Sequence, residues 1–141
     1  MSKKTVVFDF DGVIHKYSKG WQDGSIYDTP VDGIYEVLGK LKSTGWEIVV
    51  VSSRCTSNEG LMAVQQWLNT NGFGGLVDRV CTEKPPAKVY VDDRAICFDG
   101  NHIDSLVYQI ENFKTWQQKD SVHFKKGDDS NDIFWKTLWG N

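Results

Sequence analysis

No apolar run in this chain approaches membrane-spanning length, and the stretch after the basic start Met1-Ser2-Lys3-Lys4 stops at Asp9. That is too short for the apolar core of a secretion signal, so a soluble, cytoplasmic protein with no membrane partner is expected. Cysteine is scarce. Cys55, Cys81 and Cys97 are odd in number and lack metal-ligand spacing, which argues against a disulfide scaffold and fits a reducing compartment. Neither charge dominates: the net charge is -3, so the chain carries no overall electrostatic footprint of a duplex-binding protein. Internal repeats and low-complexity tracts are also missing. What remains is an ordinary globular composition, 40% hydrophobic and 25% charged over 141 residues, enough for one domain with one core.

Along the chain, strand-like and helix-like patterns alternate. Thr5 to Phe8 is a β-branched and aromatic run that reads as a buried strand. Residues 15–30 have no sustained period and read as a loop or short hairpin. Ile34, Val37, Leu38 and Leu41 recur at the spacing of a helix with one buried face, and Gly45 stops it. Glu47 to Val51 reads as a second strand. Thr56 and Glu59 form a candidate capping box for a helix that carries Leu61, Val64 and Leu68 inward and ends near Gly72. Further strands are expected over 77–81, 89–91 and 95–98. A last helix places Ile103, Leu106, Val107, Ile110 and Phe113 on one face. This alternation predicts a doubly wound, three-layer Rossmann-like α/β domain, its parallel strands ordered 3-2-1-4-5, over residues 1–116. Residues 117–141 form an extension, with a polar link at 127–132 and an aromatic segment holding Trp135 and Trp139. That segment packs back on the domain or makes a dimer contact, so both monomer and dimer stay open.

In open sheets of this kind ligands bind beyond the carboxyl ends of the strands, where strand order reverses. Asp9, Ser52 and Asp92 each fall at such an end. Asp9 and Asp11 flank a turn at Gly12, and two carboxylates there repel unless a cation lies beside them. Alone, an Asp-x-Asp-Gly is more often a solvated turn. The second acidic pair, Asp92-Asp93, follows an apolar strand that would neighbour the first, and four converging acids would be costly without a cation such as Mg²⁺. Ser52 and the turning backbone after it, with Ser53 and Arg54, could donate to phosphate oxygens. Lys84 precedes Pro85-Pro86, which hold the chain extended, and could reach the same place; Lys88 competes with it. His15, Tyr17 and Trp21 are candidates for lining the mouth of the site. His102 and His123 have no partners at ligand spacing.

The order Asp-x-Asp, Ser, Lys, Asp-Asp resembles the haloacid dehalogenase superfamily of phosphohydrolases. The matching segments are Val6 to Gly12, Val49 to Ser52, Lys84-Pro85-Pro86 and Val89 to Arg94. More narrowly, the chain looks like small members common in phages and bacteria. The resemblance implies that Asp9 attacks phosphorus to form an aspartyl-phosphate. It implies that Asp11 protonates the leaving group and then activates water. Mg²⁺ would be held by Asp9, the Asp11 backbone carbonyl and the pair Asp92 and Asp93, with the direct ligand of that pair left open. Ser52 and Lys84 would hold the phosphoryl oxygens.

The connections after Asp11 and before Lys84 are too short for a large cap domain, so the site is expected to be open, with residues 15–30 as its flap. A small phosphorylated substrate, a nucleotide or a polynucleotide 3′ end would each fit an open site. A phosphoacceptor binding module of the receiver type is the alternative of another class. Its acceptor sits at the end of the third strand, however, and here Arg79-Val80-Cys81-Thr82 brings no aspartate there.

Overall fold

The computed structural model describes residues 4–123, with 120–123 as backbone alone. The described residues divide into two compact units that meet in sequence between Asp93 and Arg94. The first unit is an α/β layer built on a four-stranded parallel sheet. Its strands are β1 (Thr5–Asp9), β2 (Glu47–Val51), β3 (Arg79–Cys81) and β4 (Val89–Val91), in the order β3-β2-β1-β4. Helix α1 (Ile34–Ser43) connects β1 to β2, and α2 (Asn58–Thr70) connects β2 to β3.

Alternation along the strands decides the two faces of the sheet. Val6 and Phe8 of β1 and Ile48 and Val50 of β2 join Leu38 of α1 and Val64 and Leu68 of α2 in the main core. Their neighbours Val7, Val49 and Val51 form a smaller cluster with Cys81 and Ala87. Every one of these β1 and β2 residues is buried, as expected for parallel strands. Burying each such side chain is worth about 1.5–3 kcal/mol, so the two central strands are the rigid base for whatever their ends display.

The sequence expectations hold for β2 and β4 to the residue and for the α2 face, with local differences elsewhere. Val37 is exposed, so α1 buries a narrower stripe than its four apolar positions suggest. Thr56 does not cap α2. It belongs to a 3-10 turn, Ser53–Thr56, where its hydroxyl donates to the Ser53 carbonyl, while the Ser57 hydroxyl caps the helix by accepting from the Gly60 amide. The chain needs this extra turn to leave β2 before it can enter α2.

In the second unit, residues 95–98 form no strand, so the described sheet has four strands where five were expected. The apolar run there is only four residues long and ends at Asp99-Gly100, where Gly100 adopts φ +81° and Asp99 accepts from the Asn101 amide. Ile103–Ser105 is a 3-10 turn, followed by α3 (Leu106–Glu111) and α4 (Trp116–His123). The expected link at 127–132 and the aromatic segment around Trp135 and Trp139 lie outside the described residues. Among the described residues, no helix is long and apolar enough to cross a membrane.

Candidate active site

Strand register brings the acids together. Phe8 lies opposite Val91, so Asp9 and Asp92, each the next residue along, leave the sheet side by side. Asp9 itself lies opposite Val51, which puts Ser52 one step beyond it. Oxygens of Asp9, Asp92 and Asp93 all lie within 4.8 Å of one another. The loop after β1 makes room for this. The Phe10 carbonyl accepts amide hydrogen bonds from Val13, Ile14 and His15, coiling the chain tightly, and Gly12 adopts φ +88°. A Cβ on Gly12 would stand 2.2 Å from Asp93 Oδ2, so only glycine fits.

The cost of this crowding falls on Asp9. Burial, then the negative charges of Asp92 and Asp93, then a hydrogen bond with Asp93 and the charge of Asp11 push its carboxyl up to about 7. Lys84 relieves part of the charge, its Nζ donating to Asp92 Oδ2 at 2.8 Å. Three carboxylates and no softer donor make a set suited to a hard divalent cation, and the bare Cα of Gly12 lets Asp93 pack close enough to join them. The three aspartates could therefore hold a divalent metal ion.

The Asp11 carboxylate is outside this cluster and points elsewhere. His15 Nδ1 lies 2.8 Å from its Oδ1, and Arg54 Nε donates to its Oδ2 at 2.8 Å. The Asp28 amide donates to His15 Nε2 at 3.1 Å, so Nε2 is the acceptor and Nδ1 carries the hydrogen donated to Asp11. Burial pushes the Asp11 carboxyl up, but the hydrogen bonds from His15 and Arg54 and the Arg54 charge outweigh it and hold the group below its usual range.

The other expected residues fall into place unevenly. Ser52 is buried at the end of β2, and its hydroxyl accepts from the Arg54 amide. Ser53 is exposed in the first position of the 3-10 turn. Arg54, expected on phosphate, is turned inward instead: its side chain is 6% exposed and is spent on Asp11 and on the Gly24 carbonyl. Lys84 reaches the acids, whereas Lys88 does not. The Lys88 amide bonds Thr5 at the start of β1, and its Nζ lies over Trp46, so Lys88 belongs to the opposite end of the sheet.

The flap is more ordered than its composition suggests. Lys16 and Val31 amides donate to Thr29 and Ile14 carbonyls, closing its base. Asp28 accepts from the amide and hydroxyl of Ser18, and Trp67 of α2 donates its indole hydrogen to the Asp28 carbonyl. His15 does not line the mouth. It is fully buried, stacked on Phe10 and flanked by Tyr27 and Trp67, because its two nitrogens are both needed to tie the β1 loop to the flap. Tyr17 is half-buried in a left-handed conformation at φ 58°, and Trp21 is 63% exposed.

No family model matches the sequence, and no curated protein matches it. The class that the fold and the cluster define is therefore an α/β protein with an acidic, cation-suited centre beyond the carboxyl ends of its parallel strands.

Proposed function

We propose that the protein is a magnesium-dependent phosphomonoester hydrolase of the haloacid dehalogenase kind, working through an aspartyl-phosphate on Asp9. The observation that carries this reading is the convergence of Asp9, Asp92 and Asp93, with Lys84 on Asp92 and the separately held Asp11 on the same loop as Asp9. On this reading the sheet is the Rossmann-like core of that superfamily, and the flap is its minimal cap.

The residues divide the work as follows. Asp9, Asp92 and Asp93 would hold a divalent cation, which would supply positive charge to keep Asp9 ionised and to offset charge on the phosphoryl oxygens. An Asp9 oxygen attacks phosphorus and the bond to the leaving oxygen breaks, while Asp11 gives that oxygen a proton. Water then attacks the phosphorus of the aspartyl-phosphate and loses a proton to Asp11. The bond to Asp9 breaks, and inorganic phosphate leaves. Lys84, whose ammonium stands at the acids, is the donor proposed for the transferring group.

Environment separates the two aspartates on Asp9-Phe10-Asp11, one pushed up and one held down. These are the directions of the metal-free site and they run opposite to the two roles, so the reading requires a bound cation to bring the Asp9 carboxyl down. A small phosphorylated molecule is the substrate class proposed, with nucleotides included. The test is hydrolysis of p-nitrophenyl phosphate by purified protein with and without Mg²⁺. Activity that needs the metal and disappears in Asp9→Asn is expected; wild-type inactivity across a wide panel of phosphates and divalent metals would sink the proposal.

A further inference from the structure

We propose that Arg54 is a positioning residue that joins the flap to Asp11, so that one guanidinium sets both how the flap is seated and how the Asp11 carboxylate is aimed. The inference deepens the hydrolase reading and rests on it for its kinetic consequence.

The Arg54 head group engages both of these elements. Nε donates to Asp11 Oδ2 at 2.8 Å, and a terminal nitrogen donates to the Gly24 carbonyl at 2.7 Å. The guanidinium lies over the Trp21 ring at 5.1 Å and near the Tyr17 ring at 6.0 Å, both of them flap residues. The rigid fork of arginine donates in two fixed directions and stacks on aromatic faces at once, which a lysine ammonium cannot copy. The backbone behind it is also held. The Arg54 amide bonds the Ser52 hydroxyl, and Gly60 at the start of α2 packs so closely that a Cβ there would fall 1.8 Å from the Arg54 carbonyl oxygen.

Asp11 is thus gripped at both oxygens by unlike partners. His15, on Oδ1, is buried and fixed by its own bond from the Asp28 amide. Arg54, on Oδ2, is tied to the part of the flap that carries the most exposed ring, Trp21. Removing Arg54 leaves Asp11 held at one oxygen and free to turn about its Cβ–Cγ bond, and it releases Gly24 and Trp21 together.

This arrangement separates a positioning role from a phosphate-binding role by leaving group. A misaimed Asp11 hurts most when the leaving oxygen needs a proton, as from an alkyl phosphate, and least for p-nitrophenolate, which leaves without one. Loss of a phosphate contact hurts both alike and raises KM. The experiment compares wild type, Arg54→Gln, Arg54→Lys and Trp21→Ala on p-nitrophenyl phosphate and on an alkyl phosphate. It also follows tryptic cleavage after Lys19 in each folded protein.

The expected result is a kcat loss of about tenfold or less on the aryl ester and a hundredfold or more on the alkyl ester for Arg54→Gln, in the range that general acid catalysis supplies. Arg54→Lys should fall between, and Trp21→Ala, on a solvent-facing ring, should shift the same ratio more weakly. Cleavage after Lys19 should be at least several-fold faster in Arg54→Gln. Equal losses on both esters with a raised KM would overturn the proposal in favour of a phosphate contact. Unchanged cleavage after Lys19 would overturn the flap link. A wild type inactive on both esters would remove the hydrolase reading, and the cleavage comparison would then decide the flap link by itself.

Discussion

Replacing Asp9 with asparagine should stabilise the metal-free protein while abolishing its response to Mg²⁺. In the folded chain the Asp9 carboxyl is raised from 3.8 to about 7, by burial first and by Asp92 and Asp93 next. Folding therefore favours its protonated form. That contribution is complete below about pH 4 and is lost as the pH rises through about 7. A shift of this size corresponds to roughly 4 kcal/mol at most, and partial solvent contact leaves about 1–2 kcal/mol. The asparagine amide would keep the shape and could donate a hydrogen bond to Asp93, but it carries no charge to repel. In chelator at pH 8 the variant should thus melt about 3–8 °C above wild type, and the gap should narrow as the pH falls toward 5. Millimolar Mg²⁺ should raise the wild-type midpoint and leave the variant nearly unmoved. Thermal melts over a pH series, with and without metal, read all of this. A variant no more stable than wild type at pH 8, or a gap that ignores pH, would refute the claim that like charge is concentrated on Asp9.

Two further predictions follow from close contacts. Gly12→Ala should cost about 2–4 kcal/mol and weaken Mg²⁺ binding, because the new Cβ meets Asp93 Oδ2 at 2.2 Å on a backbone at φ +88°; chemical denaturation and metal titration would show both. Lys84→Ala should lower kcat on p-nitrophenyl phosphate by about tenfold to a hundredfold, and Lys88→Ala should leave it within about twofold, since Lys88 lies against Trp46.

Much of this was legible in the sequence, for reasons that differ by element. The two central strands were readable because parallel strands buried on both faces leave continuous apolar runs, and Glu47–Val51 has no competing helical period. The placement of Asp9, Ser52 and Asp92 followed from their standing at the ends of such runs. The choice between Lys84 and Lys88 was also within reach in physical terms. Lys88 opens the strand whose far end bears Asp92, about 13 Å away at the rise of an extended chain, so it could not serve the acids.

What could not be read were contacts that depend on the third dimension. Nothing in Ser52-Ser53-Arg54 says that the arginine turns in toward Asp11, because that depends on the 3-10 turn inserted before α2. His15 looked like a rim residue because its loop is polar, yet the coil around the Phe10 carbonyl folds it underneath. The spacing of Asp11 and His15 across Gly12 was the one available signal of that pairing. The run at 95–98 shows the reverse error: four apolar residues satisfy a strand pattern without a partner strand to pair with.

The central claim is that Asp9 becomes phosphorylated during turnover. Incubation with acetyl [³²P]phosphate and Mg²⁺, followed by acid quench, tests it directly. Wild-type protein should carry a hydroxylamine-sensitive label, with more of it in Asp11→Asn, where hydrolysis of the intermediate is impaired, and none in Asp9→Asn. Phosphate release without labelled protein in any variant, or a label that survives Asp9→Asn, would contradict it.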